Sequence, residues 1–461
     1  MCLPIQIRCF VFVVAACFAL SENLRAVTPP PDGGYPGNNT AEGNNALFSL
    51  TTGIDNVATG TAALYNNTTG NANTGVGFEA LFSNTTGDAN TATGAYALTS
   101  NETGNGNTAT GWSALARNKT GSGNTANGYD ALVESTTGER NTAIGTAALY
   151  SNTAGSDNTA VGGVTLSGNT TGVQNTAVGS RALSANYGNG NGNTALGFSA
   201  LTANTSGGSN TAMGILALSE NDAGDQNVAN GNLALFKNTN GNGNTAVGGQ
   251  AMLSNTTGIR NIALGFFAGG NLTTGSYNID IGNFGAAGES NTIRIGYQGQ
   301  QTATYVAGIS GAIVGKGEPV FIDNNGQLGT KKSSARFKAE IKPMNETSEA
   351  ILSLRPVTFH YKKQFDPEGI PQFGLIAEEV AKVNPDLVLR DGQGNVSSVR
   401  YEEVNAMLLN EFLKEHEKVR KLEAVLAAVN ERLKAQDAKI DKVNAKVEST
   451  RATSRVVLNN Q

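Results

Sequence analysis

"NTATGAYALTSNETGNG", residues 90–106, is preceded by "NTGVGFEALFSNTTGDA", residues 73–89, and followed by "NTATGWSALARNKTGSG", residues 107–123. The shared frame is Asn-Thr-Ala-x-Gly-x-x-Ala-Leu-x-x-Asn-Thr-x-Gly-x-x. It recurs from 124, 141, 158, 175, 193, 210, 227, 244, 261 and 278, with a step of 17 that is once 18. Its first copy opens at Asn56, which makes thirteen units between Asn56 and Asn278. A fixed short period is the signature of a stacked array.

Seventeen residues are too few for a helical pair, and β-branched and small residues separated by turn formers favour strands. Each unit therefore reads as one coil of a parallel β-solenoid. The Gly residues at unit positions five and fifteen are expected to supply positive φ at both corners. The recurring Asn suits a ladder in which each side-chain amide bonds its equivalent one coil away. Ala at position three then points into a narrow interior. At about 4.8 Å per coil the array spans roughly 60 Å, and such a rod needs capped ends or neighbouring chains.

These coils resemble the head repeats of trimeric autotransporter adhesins, although adhesin coils are usually a few residues shorter. The resemblance implies left-handed parallel β-rolls assembled as trimers. A periodic surface of this kind serves equally as an adhesive stalk for a surface polysaccharide or cell-surface ligand, or as a rod that binds nothing. The many Asn-x-Thr triplets read as by-products of the frame rather than as glycan acceptors.

Composition agrees with a two-part chain. The 461 residues include 58 Gly and only 15% charged residues, which does not describe a globular enzyme throughout. Between Asn56 and Tyr277 there are ten acidic and six basic residues, whereas beyond Lys331 both signs crowd together. The formal net charge of -5 provides no basic face, which argues against nucleic acid as a partner.

Arg8, the apolar run Cys9 to Leu20 and a small-residue exit near Ala26 read as a signal peptide. Export to a bacterial cell envelope, cell surface or medium is expected. "VAAC", Val14 to Cys17, also resembles a lipoprotein box with Cys17 as the lipidated residue. All three cysteines lie in this segment, so the mature rod is expected to stand without disulfides. No later apolar run is long enough for a membrane-spanning helix.

The carboxyl-terminal part changes character. "RPVTFHYK", 355–362, alternates as a strand; "QFGLIAEEVAKVNP", 372–385, reads as strand then helix; a long helix begins near Tyr401. Val419, Leu422, Leu426, Val429, Leu433, Gln436, Ile440, Val443 and Val447 alternate spacings of three and four, a coiled-coil seam with one polar member. A lone helix cannot bury that stripe, so chains must associate.

"SSARFKAEIKPM", "AILSLRPVTFHYK", "FGLIAEEVAKVNPDLV" and "VRYEEVNAMLLNEFLKEHEKVRKLE", in this order over about residues 333–430, resemble the peptidase S74 family, the intramolecular chaperones of phage endosialidases and tail fibres. The resemblance implies a module that trimerises, templates folding of the β-structure before it, and cuts the chain once in front of a serine. Carried over, the nucleophile is Ser333, the base is Lys338 and the scissile bond is Lys332–Ser333. The family often has Asp after the nucleophile where this chain has Ser334.

Ser/Lys chemistry is sound in itself, because a hydroxyl becomes nucleophilic when a base takes its proton. The lysine must first be neutral, which burial or the nearby positive charges of Arg336 and Lys342 would favour. Were the segment helical, Ser334 would face Lys338 better than Ser333 does, so Ser334 is the alternative nucleophile. Taken alone, "SSARFK" reads as an N-cap serine opening a basic helix. His360 and His416 are the only histidines, so no metal site and no cofactor are expected. Glu378 and Glu379 diverge as helical neighbours and read as a solvated face.

The expected organisation is a signal peptide at 1–26, a linker and cap at 27–55, a β-solenoid at 56–290, a β-rich neck at 291–332, an S74-like α+β module at 333–415, a coiled coil at 416–449 and a tail at 450–461. The expected function is that of an exported homotrimeric fibre or stalk with a self-cleaving chaperone. The alternative is an adhesin or structural rod with a non-cleaving clamp.

Overall fold

The computed structural model describes residues 35–458 except 189, 310–313 and 324, with side chains to residue 452. The expected signal peptide, including Cys17, lies outside the described residues. The chain divides into two units, Met1–Tyr305 and Val306–Gln461.

The first unit is a parallel β-solenoid. Its three-residue strands run from β1 (Thr40–Glu42) to β16 (Ile293–Ile295), each hydrogen-bonded to the next in chain order. Register follows the repeat: Thr91 pairs with Thr108 and Thr108 with Thr125, a step of 17. The step is 18 between Thr176 and Thr194, and 14 at the last pairing, Ile279 with Ile293. The sheet begins one coil before Asn56, because "NTAEGNNALFSLTTGID", 39–55, fits the same frame.

Three side chains per coil fill the interior. In the coil from Asn90 these are Ala92, Ala97 and Leu98, all fully buried. Small residues keep the two walls close, and one Leu per coil from Leu47 to Leu235, followed by Met252, makes a continuous apolar column. That Leu adopts a left-handed backbone, with φ of 52° at Leu64, 53° at Leu81 and 51° at Leu98. The cost of that conformation, about 1–2 kcal/mol per residue, is offset by full burial of the side chain, worth about 1.5–3 kcal/mol.

Two buried Asn ladders run beside the column. Asn73 donates from its backbone N–H and its Nδ2 to Asn56 Oδ1, at 3.0 and 3.2 Å. At position twelve Asn84 Nδ2 donates to Asn67 Oδ1 at 2.8 Å. Both ladders meet on one acceptor: Asn73 Nδ2 and Asn84 Nδ2 reach the Gly87 carbonyl at 2.8 and 3.0 Å. The triplets starting at Asn84, Asn101 and Asn118 therefore have their Asn buried in a ladder, out of reach of a glycosyl donor.

This convergence corrects the expectation for the second glycine. Gly94, at position five, has φ 133°, but Gly104, at position fifteen, is not among the left-handed residues. A Cβ on Gly104 would lie 2.4 Å from the Gly121 carbonyl oxygen and 2.5 Å from Asn101 Oδ1. Crowding by the next coil, rather than backbone conformation, requires glycine there.

The Ala column ends at β15 (Ile279–Ile281), where Asp280 takes its place and faces Arg294 of β16 across the sheet. Asp280 is fully buried, and neither carboxylate oxygen has a hydrogen-bond partner among the described residues. Burial pushes its carboxyl up to about 6, Glu289 adding to the effect and Arg294 opposing it.

The second unit opens with a hairpin of β17 (Phe321–Ile322) and β18 (Leu328–Gly329). A single 3-10 turn, Ala335–Phe337, and a longer 3-10 stretch, Asn345–Ser353, follow. The expected strands and helix then form: β19 (Val357–Phe359) pairs with β20 (Gln372–Gly374), and α1 spans Ala377–Val383. Asn384 accepts from the Asp386 N–H and Pro385 opens the next turn, which ends α1 where the sequence demands. β21 (Val388–Arg390) and β22 (Val396–Val399) pair before α2, Tyr401–Leu458. Val380, Leu387, Val388, Val399 and Met407 form the small core.

The start of α2 is pinned to the 3-10 stretch. Buried Ser348 donates to Glu411, and Asn410 Nδ2 donates to Ser348 Oγ at 2.6 Å. Farther along α2 the expected seam is open: Val419 through Val447, Gln436 aside, are 44% to 67% exposed. Among the described residues no helix is long and apolar enough to cross a membrane.

Candidate functional site

The segment before Ser333 comes from the β17–β18 hairpin, and the segment after it enters the 3-10 turn Ala335–Phe337. Ser334 stands at the N-cap of that turn, where the reading of "SSARFK" taken alone puts a serine, but it makes no side-chain cap hydrogen bond and the turn is 3-10 rather than an α-helix. The turn lasts one cycle because Lys338 returns to extended backbone, φ -120° and ψ 139°. Without a helix, Ser334 and Lys338 do not share a face.

Lys338 Nζ instead points back to Ser333 and donates to its Oγ at 3.4 Å. The separation is at the long end of hydrogen bonding. With the amine neutral, the same approach lets Lys338 accept the Ser333 hydroxyl proton. Arg336 lies over the Phe337 ring, its Cζ 4.7 Å from the centroid, and Lys342 is 3.9 Å from Glu340. Residues 331–340 are all exposed in the single chain.

The two lysines before Ser333 are both held. Lys332 Nζ lies 2.7 Å from Glu318 Oε2, and that contact keeps the Glu318 carboxyl below its ordinary value. Lys331 Nζ sits 4.6 Å from the centre of the Phe321 ring and 3.7 Å from both Glu402 Oε2 and Glu403 Oε1. No sequence pattern pointed to these partners, which come from the neck and from the first turn of α2.

The other candidates are placed apart from this site. His360 is exposed beyond β19, and exposed His416 stacks on Phe412 with ring centres 6.5 Å apart. Glu379 is bound to Arg355, whose Nη2 lies 2.6 Å from Oε1, while Glu378 is exposed. The two carboxylates form no working pair.

Residues 333–389 match the family model of peptidase S74, described as the chaperone of endosialidase. The match begins on Ser333. The C-terminal module thus contains a domain of this family, preceded by a β-solenoid rod. No curated protein matches the chain.

Proposed function

We propose that the protein is an exported homotrimeric fibre whose C-terminal domain aligns three chains, templates winding of the solenoid and then cuts itself free between Lys332 and Ser333. The observation that carries this reading is the approach of Lys338 Nζ to Ser333 Oγ, 3.4 Å, at the first residue of the matched domain.

The chemistry balances with one water. Lys338 takes the hydroxyl proton, and Ser333 Oγ attacks the Lys332 carbonyl carbon. The peptide C–N bond breaks as the proton passes to the Ser333 nitrogen, leaving an ester between Lys332 and Oγ. Water then hydrolyses the ester, which restores the Ser333 hydroxyl and leaves a Lys332 carboxylate and a new amino terminus. The reaction occurs once per chain.

Trimerisation supplies what the single chain lacks. The open seam on α2 needs partners, and its β-branched positions shift the choice toward three strands. Neighbouring chains would also shield the exposed dyad from water. Cleavage is thereby coupled to assembly, and removal of the nucleating module leaves the rod kinetically trapped. The folding problem is real, since parallel sheets with open edges are slow and prone to mispairing.

Sedimentation of the full chain with Ser333→Ala tests the assembly step. A trimer supports the reading, and a stable monomer with a folded rod opposes it.

A further inference from the structure

Lys331 and Lys332 are the residues that the proposed cut leaves at the end of the rod. Their side chains are held by groups that flank the bond on both sides. Glu318 binds Lys332, while the Phe321 face and the Glu402/Glu403 pair bind Lys331. We infer that these four residues form two acidic subsites that recognise the Lys331–Lys332 pair and hold the scissile peptide against the dyad. The inference rests on the self-cleavage reading above.

Glu403 is suited to this work. Its Oε1 accepts from Arg400 and also faces Lys331, while its buried Oε2 has no hydrogen-bond partner among the described residues. An underused carboxylate beside a cation gains from keeping that cation close. The Phe321 ring adds a second, non-ionic hold on the same ammonium group.

Exposed ion pairs of this kind contribute little to stability. Position is another matter, because a shift of about 1 Å in a reacting group can cost about a hundredfold in rate. Two consecutive side chains, each tied to its own partners, set both the place and the rotation of the peptide that follows. Glu318, Phe321 and both lysines stay with the rod after cleavage, whereas Glu402 and Glu403 leave with the module. The Lys331 contacts to Glu402 and Glu403 therefore also span the cut.

The experiment is a charge-reversal cycle on the full chain, with self-cleavage rate followed by intact mass and fold by circular dichroism. Lys331→Glu alone, and Glu402→Lys with Glu403→Lys, should each slow cleavage by about tenfold or more with unchanged helix content. Combining them should return the rate to within about threefold of wild type, since the pair is restored with signs exchanged. Equal rates in all variants, or losses that simply add, would overturn the inference while leaving self-cleavage intact. A wild-type chain that stays as whole as Ser333→Ala would overturn both.

Discussion

Ser135 stands one coil beyond Asn118 in the position-twelve ladder, and neither Asn118 Oδ1 nor Ser135 Oγ has a hydrogen-bond partner among the described residues. Apart from Asn255, where Leu272 ends the ladder, that oxygen accepts from the next Asn, as Asn101 Oδ1 accepts from Asn118 Nδ2 at 2.6 Å. Serine is too short to continue the chain of amides. Ser135→Asn should restore it and stabilise the rod by about 1 kcal/mol, whereas Asn101→Ser should cost about 1–3 kcal/mol. Thermal unfolding of both variants, read side by side, checks the opposite signs.

Gly104 and Gly106 make a second contrast. Alanine at Gly104 collides with the next coil's backbone and should cost more than about 2 kcal/mol. Alanine at Gly106 meets nothing within 4 Å and bears only the cost of φ 65°, about 1–2 kcal/mol. Equal losses in chemical unfolding would contradict the crowding argument.

Asp280 gives the rod a pH dependence. Its folded-state carboxyl is raised to about 6 from 3.8, so the folded chain holds the proton more tightly than the unfolded chain. Its contribution therefore favours folding below about pH 4 and is lost as pH rises toward 6. Asp280→Ala, which continues the Ala column, should raise stability at pH 7 by on the order of 1 kcal/mol and change it less at pH 4. A difference independent of pH would show that Asp280 titrates normally.

The α2 seam predicts assembly. Leu426→Lys places a charge in the middle of the stripe and should shift sedimentation from trimer toward monomer. Gln436→Ile removes the polar member and should raise the melting temperature of the assembled chain. A trimer indifferent to both changes would have to be held elsewhere.

The solenoid was legible in the sequence because its period is covalent: each Asn and Ala column follows from a fixed 17-residue step. Crowding at Gly104 was not, since it arises where two ladders meet on one carbonyl in a neighbouring coil. A third ladder was hidden in position sixteen, written as "x" because Asn, Asp and Ser all serve. There Asn71 N–H donates to Asp88 Oδ1 at 2.7 Å and Asn105 N–H to Ser122 Oγ at 3.0 Å. At the candidate site the Ser333 and Lys338 spacing could be read directly. The partners of Lys331, which are 70 residues away or more in Glu402 and Glu403, depend on how the module folds.

The most direct test of the account is the intact mass of the products formed by the freshly folded wild-type chain, beside Ser333→Ala, Ser334→Ala and Lys338→Ala. The account predicts a fragment of 129 residues, 461 minus 332, beginning at Ser333. It should appear in wild type and Ser334→Ala and be absent from the other two. A wild-type chain that remains whole as an assembled trimer, or a fragment that persists in Lys338→Ala, would contradict it.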